Sequence, residues 1–176
     1  MRQDFLPGRN REKDGMIPAG LDAAEGRGFC RQDSGSFGKT RDIGENAKVL
    51  MERIALAAQQ ANRSPSEVRL MAVTKTNSAQ RVNEAIAAGI TLLGENRAQE
   101  LLDKYDDYHK DGCDIHFIGH LQTNKVKDII DKVSLIQSVD RLSLAQKIDS
   151  CAKEAGRVMP VLIEVNIGEE ATKSGV

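Results

Sequence analysis

Tryptophan is absent from this 176-residue chain, and aromatic residues of all kinds make up only 3% of it. A core of stacked rings is thereby excluded. The 40% hydrophobic content has to build an aliphatic core, drawn from Ala, Val, Ile and Leu. Cysteine is also scarce: Cys30, Cys113 and Cys151 are odd in number, widely spaced and in no CxxC pair. That argues against a disulfide framework and a cysteine zinc site, and it fits a reducing cytoplasm. No apolar run approaches the ~20 residues that span a bilayer, and the opening residues carry no apolar signal region. An excess of charge of one sign is missing too. A formal net charge of −1 argues against a nucleic-acid or membrane partner held by bulk electrostatics.

Residues 1–41 differ from the rest of the chain. They are rich in Gly, Arg and Asp, poor in aliphatics and without sustained period, and they read as a disordered or non-native extension. A mitochondrial transit peptide would be poor in acids, against Asp4, Glu12, Asp14, Asp22, Glu25 and Asp33. "GSFGKT" resembles a phosphate loop only briefly. The Walker pattern needs glycine at position 33, where Asp33 stands, and no strand precedes it.

Residues 42–176 are regular. Ile43, Ala47, Leu50, Ile54, Ala58 and Ala61 share one helical face, with Asp42 and Glu45 as an expected capping pair and Pro65 as a breaker. Strands and helices then alternate. "VRLMAVTKT" reads as a strand and "SAQRVNEAIAAG" as a helix capped by Ser78 and stopped at Gly89. "ITLLGEN", "IHFIG", "SLIQSVD" and "VMPVLIEVNIG" read as four further strands, with helices over "NRAQELLDKYDDYHK", "TNKVKDIIDKV" and "RLSLAQKIDSCAKEAG" between them. Their apolar runs are continuous, as in parallel strands covered on both faces.

Strand ends fall near Lys75, Asn96, Gly119, Ser138 and Asn166. Regular βα units leave two α/β architectures, the doubly wound sheet and the (β/α)₈ TIM barrel. The first turn, "TKTNSAQ", has no glycine, which disfavours the dinucleotide-binding version of the former. The barrel is the better reading. With five strands where eight are needed, it is expected to be truncated after the fifth.

Barrel function sits at the C-terminal ends of the strands. Lys75, Asn96, Ser138 and Asn166 then surround one mouth, with Lys173 in the loop after the fifth strand. A strand-end lysine that loses its charge is a nucleophile toward an aldehyde or ketone. No carboxylate pair and no HExxH spacing is present, so no general-acid or metal role is assigned. Each residue has a plainer reading. A lone strand-end lysine is usually a solvated cation, Asn96 can cap the next helix, and Ser138 can serve a turn.

Five motifs, "LMAVTKT", "LLGENRAQE", "IHFIGHLQTNK", "LIQSVDRL" and "VLIEVNIGEEATKSGV", together resemble the pyridoxal phosphate homeostasis protein family (YggS/PROSC type) over residues 42–176. The resemblance implies a barrel of the alanine racemase N-terminal-domain type. It implies pyridoxal 5′-phosphate as cofactor, held as a Schiff base on Lys75, with Asn96 lining its pocket and Lys173 handling the cofactor outside that bond. It also implies a carrier or regulator of the cofactor pool, serving PLP-dependent apoenzymes without established turnover. In the family the phosphate is gripped late in the barrel, beyond Val176, so this chain alone is expected to bind the cofactor weakly. The rivals are a PLP-dependent racemase, a Schiff-base aldolase, and a non-binding truncated relic. A racemase needs a second acid/base, and Tyr105 and Tyr108 are expected away from the mouth.

Overall fold

The computed structural model describes residues 42–170 and 172–176; the extension expected over residues 1–41 lies outside the described residues. Five strands, β1 (Ala72–Val73), β2 (Leu92–Glu95), β3 (Asp114–Phe117), β4 (Leu135–Val139) and β5 (Val161–Ile163), alternate with helices. The helices are α1 (Ile43–Gln60), α2 (Ala79–Ala87), α3 (Ala98–Lys104), α4 (Val126–Ile129) and α5 (Leu142–Glu154). All four strand pairs are parallel, and the sheet order is β1-β2-β3-β4-β5. A doubly wound sheet reverses its order at a switch point. Unbroken sequential order with right-handed crossovers puts every connecting helix on one face, which is barrel topology.

Local chemistry explains most boundaries. Ser78 Oγ accepts from Arg81 N–H at 3.4 Å to open α2, and Gly89, at φ +95°, ends it. Asp42 is the N-cap of α1, but its side chain makes no capping bond, so the expected pair with Glu45 does not form. α1 stops before Pro65 exerts any effect, because Asn62 turns into the left-handed region at φ 54°. Pro65 instead opens a 3₁₀ turn, Pro65–Glu67, with a capping box between Ser64 and Glu67 that the sequence reading missed. The third and fourth expected helices are shorter than their apolar period. α3 passes into a 3₁₀ turn at Tyr105–Asp107, and α4 is preceded by another at Thr123–Lys125.

One aliphatic cluster joins the sheet to the helices. Leu93, Ile115, Phe117 and Ile136 from the strands meet Val82, Leu101, Val126, Ile129, Leu144 and Ile148 from α2 to α5. β2 is buried along its whole length, as a doubly covered strand should be. β5 departs from that expectation: it has one neighbour, and Val161, Leu162 and Ile163 are all exposed. No helix among the described residues is long and apolar enough to cross a membrane.

The loops after β2 and β3 press together at Gly119, where an added Cβ would run into the Asn96 carbonyl. Gly119→Ala is therefore expected to destabilise the fold by about 1–3 kcal/mol, the usual range for overpacking. Urea denaturation reads this directly, and a parent-like midpoint would show that the loops do not make this contact.

Candidate functional site

Because all strands are parallel, their C-terminal ends lie along one edge. The row Val73–Gly94–His116–Leu135 runs across the face opposite the helices. Thr74 N–H donates to Gly94 O at 3.0 Å and Ile118 N–H to Glu95 O at 2.8 Å, so the ladder continues past the strands. Two residues further along that row stand Lys75, Asn96 and Ile118. Lys75 follows β1 and Asn96 follows β2, so both lie past the C-terminal ends of neighbouring parallel strands. Lys75 is exposed, at the second position of a tight turn closed by Asn77 N–H donating to Thr74 O at 3.2 Å.

Asn96 does not cap α3. The N-cap is Arg97, without a side-chain bond, and Asn96 Oδ1 is buried with no hydrogen-bond partner among the described residues. The plainer reading of Asn96 therefore loses its structural basis. An enclosed acceptor without a donor is unfavourable unless something supplies one.

Ser138 lies where β4 carries an extra residue against β5, between Ile136 and Val139. Such bulges re-aim side chains at strand ends. Its hydroxyl is buried and donates to Gly119 O, tying β4 to the loop after β3. Asn166 and Lys173 lie beyond β5, four strand spacings from β1, or about 19 Å along the sheet. The Asn166 side chain closes its own loop: Nδ2 donates to Glu170 O at 3.0 Å, and Oδ1 accepts from Glu170 N–H at 3.2 Å. Lys173 is exposed, its N–H donating to Glu170 O. The structure does not bring these two against Lys75.

The residues that hold Lys75 are ones the sequence reading passed over. Glu95 is fully buried on the helix side of β2. Its Oε1 accepts from Thr74 Oγ1 at 2.5 Å and from the Tyr108 hydroxyl at 2.7 Å, with Lys104 Nζ 3.4 Å away. Lys104 Nζ also donates to Thr74 O at 3.3 Å and to Asn77 O at 3.2 Å. Glu100, one turn before Lys104 on α3, accepts from Thr76 N–H at 2.7 Å. A glutamate inside the apolar run "LLGEN" was the available signal, since a buried carboxylate demands donors and a cation. Further along the edge, Asp140 joins His120 Nδ1 at 3.2 Å, and Arg141 reaches Leu121 O at 3.1 Å, linking the loops after β3 and β4.

With this geometry in hand, comparison with known proteins is direct. The chain belongs to the family of the alanine racemase N-terminal domain, which matches residues 47–176. Within that family it is similar to pyridoxal phosphate homeostasis proteins, as the motifs implied. It is 42% identical to the one from Aquifex aeolicus over 75% of this chain and 58% of that protein. It is 36% identical to the one from Escherichia coli strain K12 over 77% and 59% respectively. The chain thus spans just under three-fifths of the relatives it matches. Among solved structures, an unknown protein from Bifidobacterium adolescentis aligns with a TM-score of 0.70 at 36% identity, covering 77% of this chain and 59% of that one. PipY of Synechococcus elongatus, solved with PLP bound, aligns at 0.58 and 34% identity, covering 72% and 57%. Alanine racemase from Streptomyces coelicolor, at 20% identity and 0.58, covering 76% and 33%, shares the fold. The expected alanine racemase N-terminal-domain type of α/β barrel fold is borne out.

Burial, followed by the hydrogen bond to Glu95 and its charge, raises the Tyr108 pKa well above its ordinary 10.0. Tyr108 thus keeps its proton in the fold above pH 10, while an unfolded chain loses it there, and stability falls as pH rises. Tyr108→Phe is expected to cost about 1–3 kcal/mol near neutrality by removing a donor from a buried carboxylate. The gap between parent and variant in urea midpoint should then narrow above pH 10; a gap constant with pH would contradict the buried hydroxyl's role.

Proposed function

We propose that this chain carries the cofactor-anchoring part of a pyridoxal 5′-phosphate-binding protein of cofactor homeostasis, with Lys75 as the anchor. The observation that carries the reading is an exposed lysine past the end of one strand, on a turn whose Lys75 carbonyl and Thr76 N–H are both hydrogen-bonded, with the buried, unpartnered Asn96 Oδ1 past the end of the neighbouring strand. Pyridoxal phosphate supplies an aldehyde, and its chemistry when bound is that of an electrophile held through a C=N bond. On this side, Lys75 would supply the amine nitrogen for that bond, having first given its ammonium proton to solvent. Asn96 Oδ1 offers an unpartnered acceptor past the end of the neighbouring strand. The names of the relatives and the PLP-bound PipY structure support the choice of cofactor.

The role follows as a holder of cofactor for PLP-dependent apoenzymes rather than as a turnover enzyme. A racemase would use a second acid/base, and the chain's tyrosines are engaged elsewhere. The Tyr108 hydroxyl is bonded to Glu95 on the helix side, and the Tyr105 ring lies under Lys110 Nζ at 4.4 Å from its centroid. Ser138, Asn166 and Lys173 are proposed as further cofactor-contacting residues at the same end of the sheet, apart from Lys75. Lys173 stands outside the C=N bond, on the loop of the fifth strand.

Incubation with pyridoxal phosphate, borohydride reduction and peptide mass mapping tests the anchor. The adduct is expected mainly on Lys75 and absent from that peptide in Lys75→Ala. Adduct spread over surface lysines, unchanged by the substitution, would contradict the reading.

A further inference from the structure

We propose that Glu100 is a positioning residue for Lys75: by accepting the Thr76 N–H, its carboxylate holds the lysine-bearing turn in a left-handed conformation that threonine does not adopt unaided. The inference rests on Lys75 being the cofactor anchor, and it adds how that anchor is presented.

Thr76 sits at φ 62°. A β-branched residue there is a genuine outlier, because its Cβ crowds the following carbonyl, and such strain persists only where the surroundings over-determine it. The surroundings here do so. Glu100 and Lys104 are four residues apart on α3 and therefore project from one face. Glu100 takes the N–H at the centre of the turn, and Lys104 takes the carbonyls of Thr74 and Asn77 at its two ends. Asn77 Nδ2 donates to Lys75 O at 3.1 Å, and Thr74 Oγ1 is bonded to Glu95. Ala98 and Leu101, both buried, fix α3 in the core. The helix thus grips the turn at three backbone points and leaves the Lys75 side chain outside that grip. Glu100 Oε2 is buried with no partner among the described residues, a cost that a purely surface glutamate would not bear.

If the carboxylate acts by holding residue 76 left-handed, glycine at that position makes it dispensable, since glycine adopts positive φ freely. Four variants of the 176-residue chain decide the matter: Glu100→Ala, Glu100→Gln, Thr76→Gly, and Thr76→Gly with Glu100→Ala. Amide hydrogen exchange at residue 76 in the cofactor-free chain is the first readout. Borohydride-trapped pyridoxal phosphate on Lys75 is the second, and a urea transition confirms that each variant is folded. Glu100→Ala should speed exchange and lower the Lys75 adduct by about tenfold each, the scale of one released backbone strain. Glu100→Gln, which keeps an acceptor oxygen, should stay within about threefold of the parent. The double variant should match Thr76→Gly in adduct, though its residue-76 amide, without an acceptor, exchanges faster. Parent-like exchange at residue 76 in Glu100→Ala, or a double variant as poor as Glu100→Ala, overturns the proposal. If Glu100→Ala does not fold, the double variant decides: folding with the adduct level of Thr76→Gly supports the proposal, and failure to fold, or an adduct about tenfold below that of Thr76→Gly, overturns it. A parent chain with no adduct on Lys75 defeats the anchor reading instead, and the exchange data still judge the clamp.

Discussion

Glu95 is a carboxylate with no access to water, and the mouth of this fold is organised around its Oε1, while its Oε2 is buried with no partner among the described residues. A buried charge of this kind is tolerated only with a cation and donors close by. Lys104 from α3 supplies the charge, and Thr74 from the end of β1 and Tyr108 from beyond α3 supply the hydroxyls. One side chain therefore fastens β1, β2 and α3 at the level where Lys75 emerges. Removing any partner leaves the carboxylate worse satisfied, so the linkage specifies geometry as much as it stabilises.

The same principle recurs along the edge. Ser138 ties β4 to the loop after β3, Asp140 with His120 and Arg141 with Leu121 tie the next loops, and Glu164 N–H bonds to Val139 O beside β5. Barrels keep function at this end because loops of free sequence can be added to a rigid sheet. Here the loops are bound to one another in sequence, so a side chain on the first is positioned by contacts that begin in the second. The strained Thr76 fits that pattern, since strain is stored where neighbouring structure holds it.

Much of this was legible in the sequence, for physical reasons. Continuous aliphatic runs at regular spacing define parallel strands, and Ser78 and Gly89 bracket α2 because capping is local chemistry. The lysine at the first strand end was visible because strand ends are where a barrel keeps its chemistry. What was not legible depended on distant pairs. The Glu95–Tyr108 and Thr76–Glu100 bonds join residues that periodicity treats as unrelated, and the lack of a capping bond at Asp42 is a matter of rotamer rather than residue type. The exposed faces of β5 follow from its position at the edge of the described sheet, which apolar content alone does not reveal. The resemblance of five motifs to the homeostasis proteins carried the cofactor, which no spacing in the chain would have named.

The central claim is that Lys75, presented by this clamp, is where the cofactor bonds. Titrating ¹⁵N-labelled chain with pyridoxal phosphate and tracking amide shifts tests it most directly, since weak binding is read as well as strong. The account predicts shifts concentrated at Lys75, Thr76 and Asn96, abolished in Lys75→Ala. Shifts of the same pattern in that variant, or shifts confined to other parts of the chain, would contradict it.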